Sequence, residues 1–342
     1  MRMKRSGIRM GTAWIKREAP EGGSRFVVLC GYTRYRRDID MANIIAVIWD
    51  CDKTLIDGYM QDPIFKKFGI NSHEFWEEVN RIPDEYKEKH IRVNRDTYYL
   101  NHFIHCAQKG TFKGLNNDML REFGKQQKYY PGIPEFLEKT KNMFKNNPEY
   151  SEYGIQVGHY IVSTGFAEVI RGAAISEYVD DIWGCELLES EDQDGNNVIS
   201  EVVYTIDNTT KTRAIFEINK GINKNRDIEV NSKIPKELRR VQFENMIYIA
   251  DGPSDIPAFS VVGQNGGATF AIYPKGDEKA MLQVEQMRKD GRVDMYAEAD
   301  YTEKTTANMW ITSKIRQIAD RIRAQEKNKI TSLSLTTPHH LI

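Results

Sequence analysis

Cysteine is scarce: the four thiols in 342 residues, Cys30, Cys51, Cys106 and Cys185, are scattered and form no Cys-x-x-Cys pair. That pattern excludes a disulfide-stapled scaffold and a cysteine-rich zinc framework, and it fits reduced thiols in a cytoplasm. No apolar run approaches the length of a membrane-spanning helix, so neither a membrane partner nor an anchored chain is expected. Neither sign of charge is in excess. The 48 Lys/Arg against 49 Asp/Glu leave a net charge of -1, which gives no global pull toward nucleic acid or a membrane surface. The neutral total hides one asymmetry: residues 1–40 hold ten basic and four acidic residues, so the remainder is mildly acidic.

Residues 1–40 are basic and without sustained periodicity apart from the short run Phe26-Val-Val-Leu-Cys30. That run is too short for the apolar part of a signal peptide. These forty residues are expected to be a disordered extension. Without a recognisable binding fold around it, the arm gives no reason to expect a nucleic-acid partner. Met41, directly before the first strong strand, has the position of a natural start.

What is present is a set of buried strands that end in reactive side chains. Ile44-Ile-Ala-Val-Ile-Trp49 runs straight into Asp50-Cys-Asp52-Lys-Thr54, which reads as a buried strand whose carboxyl end carries two acids. In open α/β sheets that end is where ligands sit. Two crowded carboxylates repel unless a cation or a proton compensates, so the pair points to a metal site or an acid/base site. A second strand, Gly158-His-Tyr-Ile-Val162, leads through Ser163-Thr164-Gly165-Phe166 into a helix. There a hydroxyl and backbone N–H groups could meet an anion at the helix N-terminus. A third, Met246-Ile-Tyr-Ile-Ala250, ends in Asp251-Gly-Pro-Ser-Asp255, where Gly252 would allow a tight turn and close approach of a ligand. Ala268–Tyr273 reads as a fourth strand, with a short one near Asp300-Tyr301 and a closing helix through Trp310, Ile315 and Ile322.

Between the first two strands the pattern is helical and aromatic over 57–130. Asn71-Ser-His-Glu74 has the form of a capping box. His102 and His105 are spaced as a metal pair, although ordinary helix positions explain them better because no Glu or Cys completes a ligand pattern. Pro131-Gly-Ile-Pro134 closes the module. Residues 182–206 alternate apolar and polar around Asp192-Gln-Asp-Gly-Asn196, the pattern of a β-hairpin. Lys211 follows, with Lys220 and Lys224 as nearby competitors for any role it has. The last dozen residues are Ser/Thr-rich and are expected to fray.

These motifs resemble those of the haloacid dehalogenase (HAD) superfamily, in its phosphoserine-phosphatase-like branch. Asp50-Cys-Asp52-Lys-Thr54 is similar to the first motif of that superfamily and Ser163 in Val-Ser-Thr-Gly-Phe to the second. Lys211 stands for the third, and Asp251-Gly-Pro-Ser-Asp255 is similar to the fourth. Ser254 stands where that branch often has Asn. The resemblance covers roughly residues 41–305. It implies an α/β fold with a Rossmann-like parallel-sheet core, residues 41–56 and 131–325. A helical cap is inserted over 57–130, and a flexible tail covers 326–342.

It further implies a Mg²⁺-dependent phosphatase acting on a small phosphorylated metabolite. Asp50 would attack phosphorus to form an aspartyl-phosphate, and Asp52 would protonate the leaving oxygen and then activate water. Mg²⁺ would be held by Asp50, the backbone carbonyl of Asp52, and Asp251, with Asp255 beside them. Ser163, Thr164 and Gly165 would hold phosphoryl oxygens, Gly252 would let substrate approach, and Lys211 would neutralise charge. Arg92, Tyr98, Tyr129 and Tyr130 are the cap residues that would face the site, although helical packing explains the aromatics equally well. A phosphotransferase or phosphomutase of the same fold uses the same residues, and a binding module on the same scaffold is the non-enzymatic alternative. Oligomeric state is not legible in the sequence.

Overall fold

Seven strands form one sheet in the computed structural model, which describes residues 43–225 and 227–335. The strands are β1 (Asn43–Trp49), β2 (Ile155–Phe166), β3 (Asp181–Glu191), β4 (Asn197–Tyr204), β5 (Met246–Ala250), β6 (Ala268–Tyr273) and β7 (Met295–Glu298), in spatial order β4-β3-β2-β1-β5-β6-β7. Only β4 runs antiparallel to its neighbour; the other pairings are parallel. Parallel strands need long crossovers, here mostly helical: α1 (Asp62–Phe68), α2 (Ser72–Glu88), α3 (Tyr98–Gln108), α4 (Asn117–Gly124), α5 (Glu135–Lys141), α6 (Pro148–Ser151), α7 (Ala167–Gly172), α8 (Lys211–Lys220), α9 (Ile256–Gln264) and α10 (Glu278–Lys289), with α11 (Thr306–Leu335) following the last strand. The expectation of a disordered extension over residues 1–40 falls outside the described residues.

β1 lies at the centre because nearly every residue in it is apolar. Ile45 to Trp49 are all fully buried, as a parallel strand covered on both faces requires. From β1 the chain order runs outward through β2 and β3 on one side and through β5, β6 and β7 on the other. That reversal makes a switch point between β1 and β5, where the connections leave in opposite directions and a crevice opens at the carboxyl ends.

The helical insertion between β1 and β2 belongs to the same compact unit as the sheet. Its aromatic residues pack on one another: Phe103 stacks on Phe112 with centroids 4.8 Å apart and meets Phe166 of β2 edge-on at 5.1 Å. α4 crosses α7 at a contact only glycine permits. A Cβ on Gly124 would lie 2.1 Å from the Val169 carbonyl oxygen, and one on Gly172 would lie 2.0 Å from that of Arg121. Asn71 caps α2 as its sequence pattern predicts, accepting from the backbone N–H of His73 and Glu74.

Three local expectations are corrected. β2 does not stop at Val162 but runs to Phe166, with a shift in its pairing to β3 between Val162 and Phe166. Ser163, Thr164 and Gly165 are therefore strand residues, and α7 begins only at Ala167. The short strand expected near Asp300-Tyr301 is β7, which ends at Glu298. Residues 326–335, expected to belong to a flexible tail, continue α11: Glu326, Lys327 and Lys329 are good helix formers, and the Ser/Thr content did not outweigh them.

Candidate active site

Register alone gathers the reactive residues. Trp49 of β1 pairs with Ile161 of β2 and with Ile249 of β5. Asp50 and Asp251 therefore leave β1 and β5 at the end of the sheet where Ser163 lies in β2. The Asp50 N–H donates to the Ile249 carbonyl at 2.9 Å, which carries the β1/β5 ladder to the first acid. Lys211 arrives from the first turn of α8. Asp207 folds that turn by accepting from the N–H groups of Thr209 and Thr210, at 3.0 and 2.7 Å.

Lys211, 1% exposed, is the cation at the centre. Its Nζ donates to Asp50 Oδ1 at 2.8 Å and to Asp255 Oδ1 at 2.7 Å. Asp255 is fully buried and accepts two further bonds, from the Tyr248 hydroxyl at 2.6 Å and from Ser254 Oγ at 2.9 Å. Asp52 takes a different partner, the N–H of Met60, at 3.0 Å. Thr54 Oγ1 makes a long contact of 3.4 Å to Asp50 Oδ2.

One lysine does not balance four carboxylates. Burial, with the neighbouring Asp255 charge adding to it against the pull of Lys211, raises the Asp50 carboxyl to about 6. Burial and the charges of Asp50 and Asp255 raise Asp251 to about 7. Asp52 is pushed well above the usual carboxylate range by burial and by Asp50, against the Met60 hydrogen bond. For Lys211, burial works to lower the ammonium, but Asp255 and Asp50 outweigh it and the net shift is upward. The site thus holds an excess of negative charge that further positive charge would relieve. Oxygens of Asp50, Asp251 and Asp255 come within 4.8 Å of one another, an all-oxygen donor set that fits a hard divalent cation. By distance Asp255 belongs to that group and the Asp52 side chain does not. We give Asp255 the smaller share, because both of its oxygens already accept hydrogen bonds from Lys211, Tyr248 and Ser254.

The structure brings Asp50, Asp52, Ser163, Lys211, Asp251 and Asp255 to one end of the sheet and leaves the competitors outside. Lys220 donates to the Ser232 carbonyl at 2.7 Å, and Lys224 is exposed. Ser163 is buried and its Oγ accepts from the Gly165 N–H at 3.0 Å, while the Thr164 carbonyl accepts from the Tyr99 hydroxyl at 2.7 Å. Gly252 is extended, and a Cβ there would meet only Gln283 Nε2 at 3.9 Å, an ordinary contact. The turn itself does not require glycine there. Among the residues expected to face the site from the helical insertion, Arg92 is exposed and Tyr98 stacks on His102. Tyr129 is half-buried, and the hydroxyl of Tyr130 feels the charges of Asp57 and Asp251 behind its burial. His102 is buried against Phe75 and His105 is exposed, so the two do not converge as a metal pair. Sequence reading missed Tyr248 and Met60. Tyr248 had a signal: a tyrosine inside an otherwise aliphatic buried strand needs a partner for its hydroxyl. Met60 had none.

No protein-family model matches the sequence. A relative does: the chain is 34% identical over 287 residues to an uncharacterized protein of Borreliella burgdorferi, an alignment spanning 80% of this chain and 97% of that one. Among solved structures, a HAD family hydrolase from Salmonella enterica serovar Typhi is 15% identical, with a TM-score of 0.46 over 75% of this chain and 67% of that one. A phosphoserine phosphatase, solved as a phospho-aspartyl intermediate analogue, is 18% identical, with a TM-score of 0.44 over 79% of this chain and 99% of that one.

Proposed function

We propose that the chain, which belongs to one family with the Borreliella burgdorferi protein, is a divalent-metal-dependent phosphatase of the HAD type that cleaves a small phosphate monoester. The observation that carries this reading is the buried Lys211 joined to both Asp50 and Asp255 at the carboxyl ends of adjacent strands, with Asp52 two residues beyond Asp50. A surface ion pair would not need this arrangement. Burying a lysine and several carboxylates costs several kcal/mol per ion before their attraction is counted, on the order of what a whole domain has to spare.

In this mechanism Asp50, held by Lys211 and aligned by the end of β1, attacks phosphorus and becomes an aspartyl-phosphate. Asp52, which burial and the charge of Asp50 make a weaker acid than an ordinary carboxyl, gives a proton to the leaving oxygen and then takes one from the attacking water. Lys211 neutralises charge on the phosphoryl oxygens. Ser163 Oγ and the N–H groups near Thr164 and Gly165 donate to those oxygens, the Ser163–Gly165 bond opening to admit them. Gly252 would let the substrate approach the backbone there. Asp50 and Asp251, with the backbone carbonyl of Asp52 and with Asp255 behind them, would hold Mg²⁺, which when bound supplies the positive charge this site lacks. The helices over 57–130 would form the cap that covers the site and selects the leaving group.

The test is a phosphatase assay on a panel of phosphorylated metabolites with Mg²⁺, repeated in excess chelator. Release of inorganic phosphate that chelation abolishes and Mg²⁺ restores is the expected result. Full turnover in chelator would remove the metal from the mechanism, and no turnover on any ester would remove the phosphatase.

A further inference from the structure

Met60 lies in the turn between Asp52 and α1 and is fully buried. Each of its polar groups meets a different segment of the chain. Its N–H donates to Asp52 Oδ1 at 3.0 Å, its carbonyl accepts from Gln127 Nε2 at 3.1 Å, and its Sδ accepts from the Phe166 N–H at 3.1 Å. Its side chain also closes over Gly165, where a Cβ would lie 2.3 Å from both Sδ and Cε. No larger residue fits at 165 while Met60 keeps this place. A thioether is a weak acceptor, so spending a buried backbone donor on it is an unusual choice for packing alone.

We propose that Met60 is a positioning residue for the general acid. The side chain, pinned between Gly165 and the Phe166 N–H, fixes residue 60, whose own N–H holds the Asp52 carboxylate toward the leaving oxygen. The thioether thereby ties the orientation of Asp52 to the strand that carries Ser163. This rests on the phosphatase reading, and it makes a claim a purely structural methionine would not make. Disturbing residue 60 should hurt proton donation more than attack, because a misplacement of about 1 Å at a catalytic group costs on the order of 10²-fold.

The experiment compares Met60→Ala and Met60→Leu with the wild type, in Mg²⁺, on p-nitrophenyl phosphate and on phenyl phosphate. The first leaving group needs little protonation and the second needs much more. Met60→Ala should lose about 100-fold in kcat/KM on phenyl phosphate and at most about tenfold on p-nitrophenyl phosphate. Met60→Leu, which keeps the volume but offers no thioether to the Phe166 N–H, should recover only part of the loss. Equal losses on the two esters, or none on either, overturn the proposal. If the wild type cleaves neither ester, the phosphatase reading fails on these substrates and amide hydrogen exchange judges the clamp. Exchange at Met60 and Phe166 should be slow in the wild type and faster in Met60→Ala; equal exchange in the two overturns it.

Discussion

The Nζ of Lys211 stands 2.8 Å from Asp50 Oδ1, and the same nitrogen stands 2.7 Å from Asp255 Oδ1, so one buried ammonium bridges two carboxylates, one at the end of β1 and one in the turn that follows β5. Replacing it by methionine keeps the volume and removes the charge, leaving two buried acids facing each other without their cation. Breaking a buried pair by deleting one partner typically costs about 3–5 kcal/mol. Lys211→Met should therefore melt well below the wild type in chelator, and Mg²⁺ should raise its melting temperature by more than it raises that of the wild type. Phosphatase activity should be lost in both conditions. A variant that melts with the wild type would mean that Lys211 does not offset the acids.

The raised carboxyls make a prediction about pH whose sign can be worked out. Asp251 ionises at about 7 in the folded chain, above its ordinary value of 3.8. Below about pH 4 the group is protonated in both states and costs the fold nothing; between there and its folded value the unfolded chain ionises while the folded one keeps its proton, so stability falls, and the loss is complete above about pH 7. Asp251→Asn is neutral throughout. In chelator, the melting temperature of Asp251→Asn minus that of the wild type should therefore grow between about pH 4 and pH 7 and level off above. Taking a difference cancels groups that do not feel Asp251, including His159, which burial holds to about 3 and whose own effect runs the opposite way; the neighbouring acids, eased by the loss of Asp251, add to the difference in the same direction. A difference that stays flat or shrinks as pH rises would show that Asp251 is not strained by its neighbours.

Strand content was legible where composition and burial agree. β1, β5 and β6 are runs of β-branched and aromatic residues with every position or nearly every one buried, and such runs announce both the strand and its central place in the sheet. Asp50, Asp52, Asp251 and Asp255 were legible because a strand ending in acids is chemically odd. Lys211 was legible only through its distance along the chain from the hairpin, since α8 has lysines at both ends. The end of β2 was not legible: Ser-Thr-Gly reads as a turn, and pairing with β3 after a register shift extends the strand across it. Met60 was hidden for a related reason. What it does depends on Gly165 and Phe166, a hundred residues away, and on a packing contact that no local pattern encodes.

Asp50 and Asp52 sit two residues apart yet meet different partners, Lys211 for the first and the Met60 N–H for the second, and their proposed roles separate in the same way. Asp50→Asn removes the attacking oxygen, so neither product nor covalent phosphate should form. Asp52→Asn leaves the nucleophile and its lysine in place but supplies no proton to the leaving group and no base to water. Turnover should then fall by roughly 10²–10⁴-fold, the scale of general acid–base catalysis. With p-nitrophenyl phosphate, whose leaving group needs little help, the first step should survive better than the second. Acid-quenched Asp52→Asn protein should therefore carry phosphate on Asp50, seen by mass spectrometry as an added phosphoryl group on the peptide that contains it. Normal turnover in Asp52→Asn, with the adduct accumulating instead in Asp50→Asn, would reverse the two assignments, and it would leave the Met60 hydrogen bond holding the nucleophile rather than the acid.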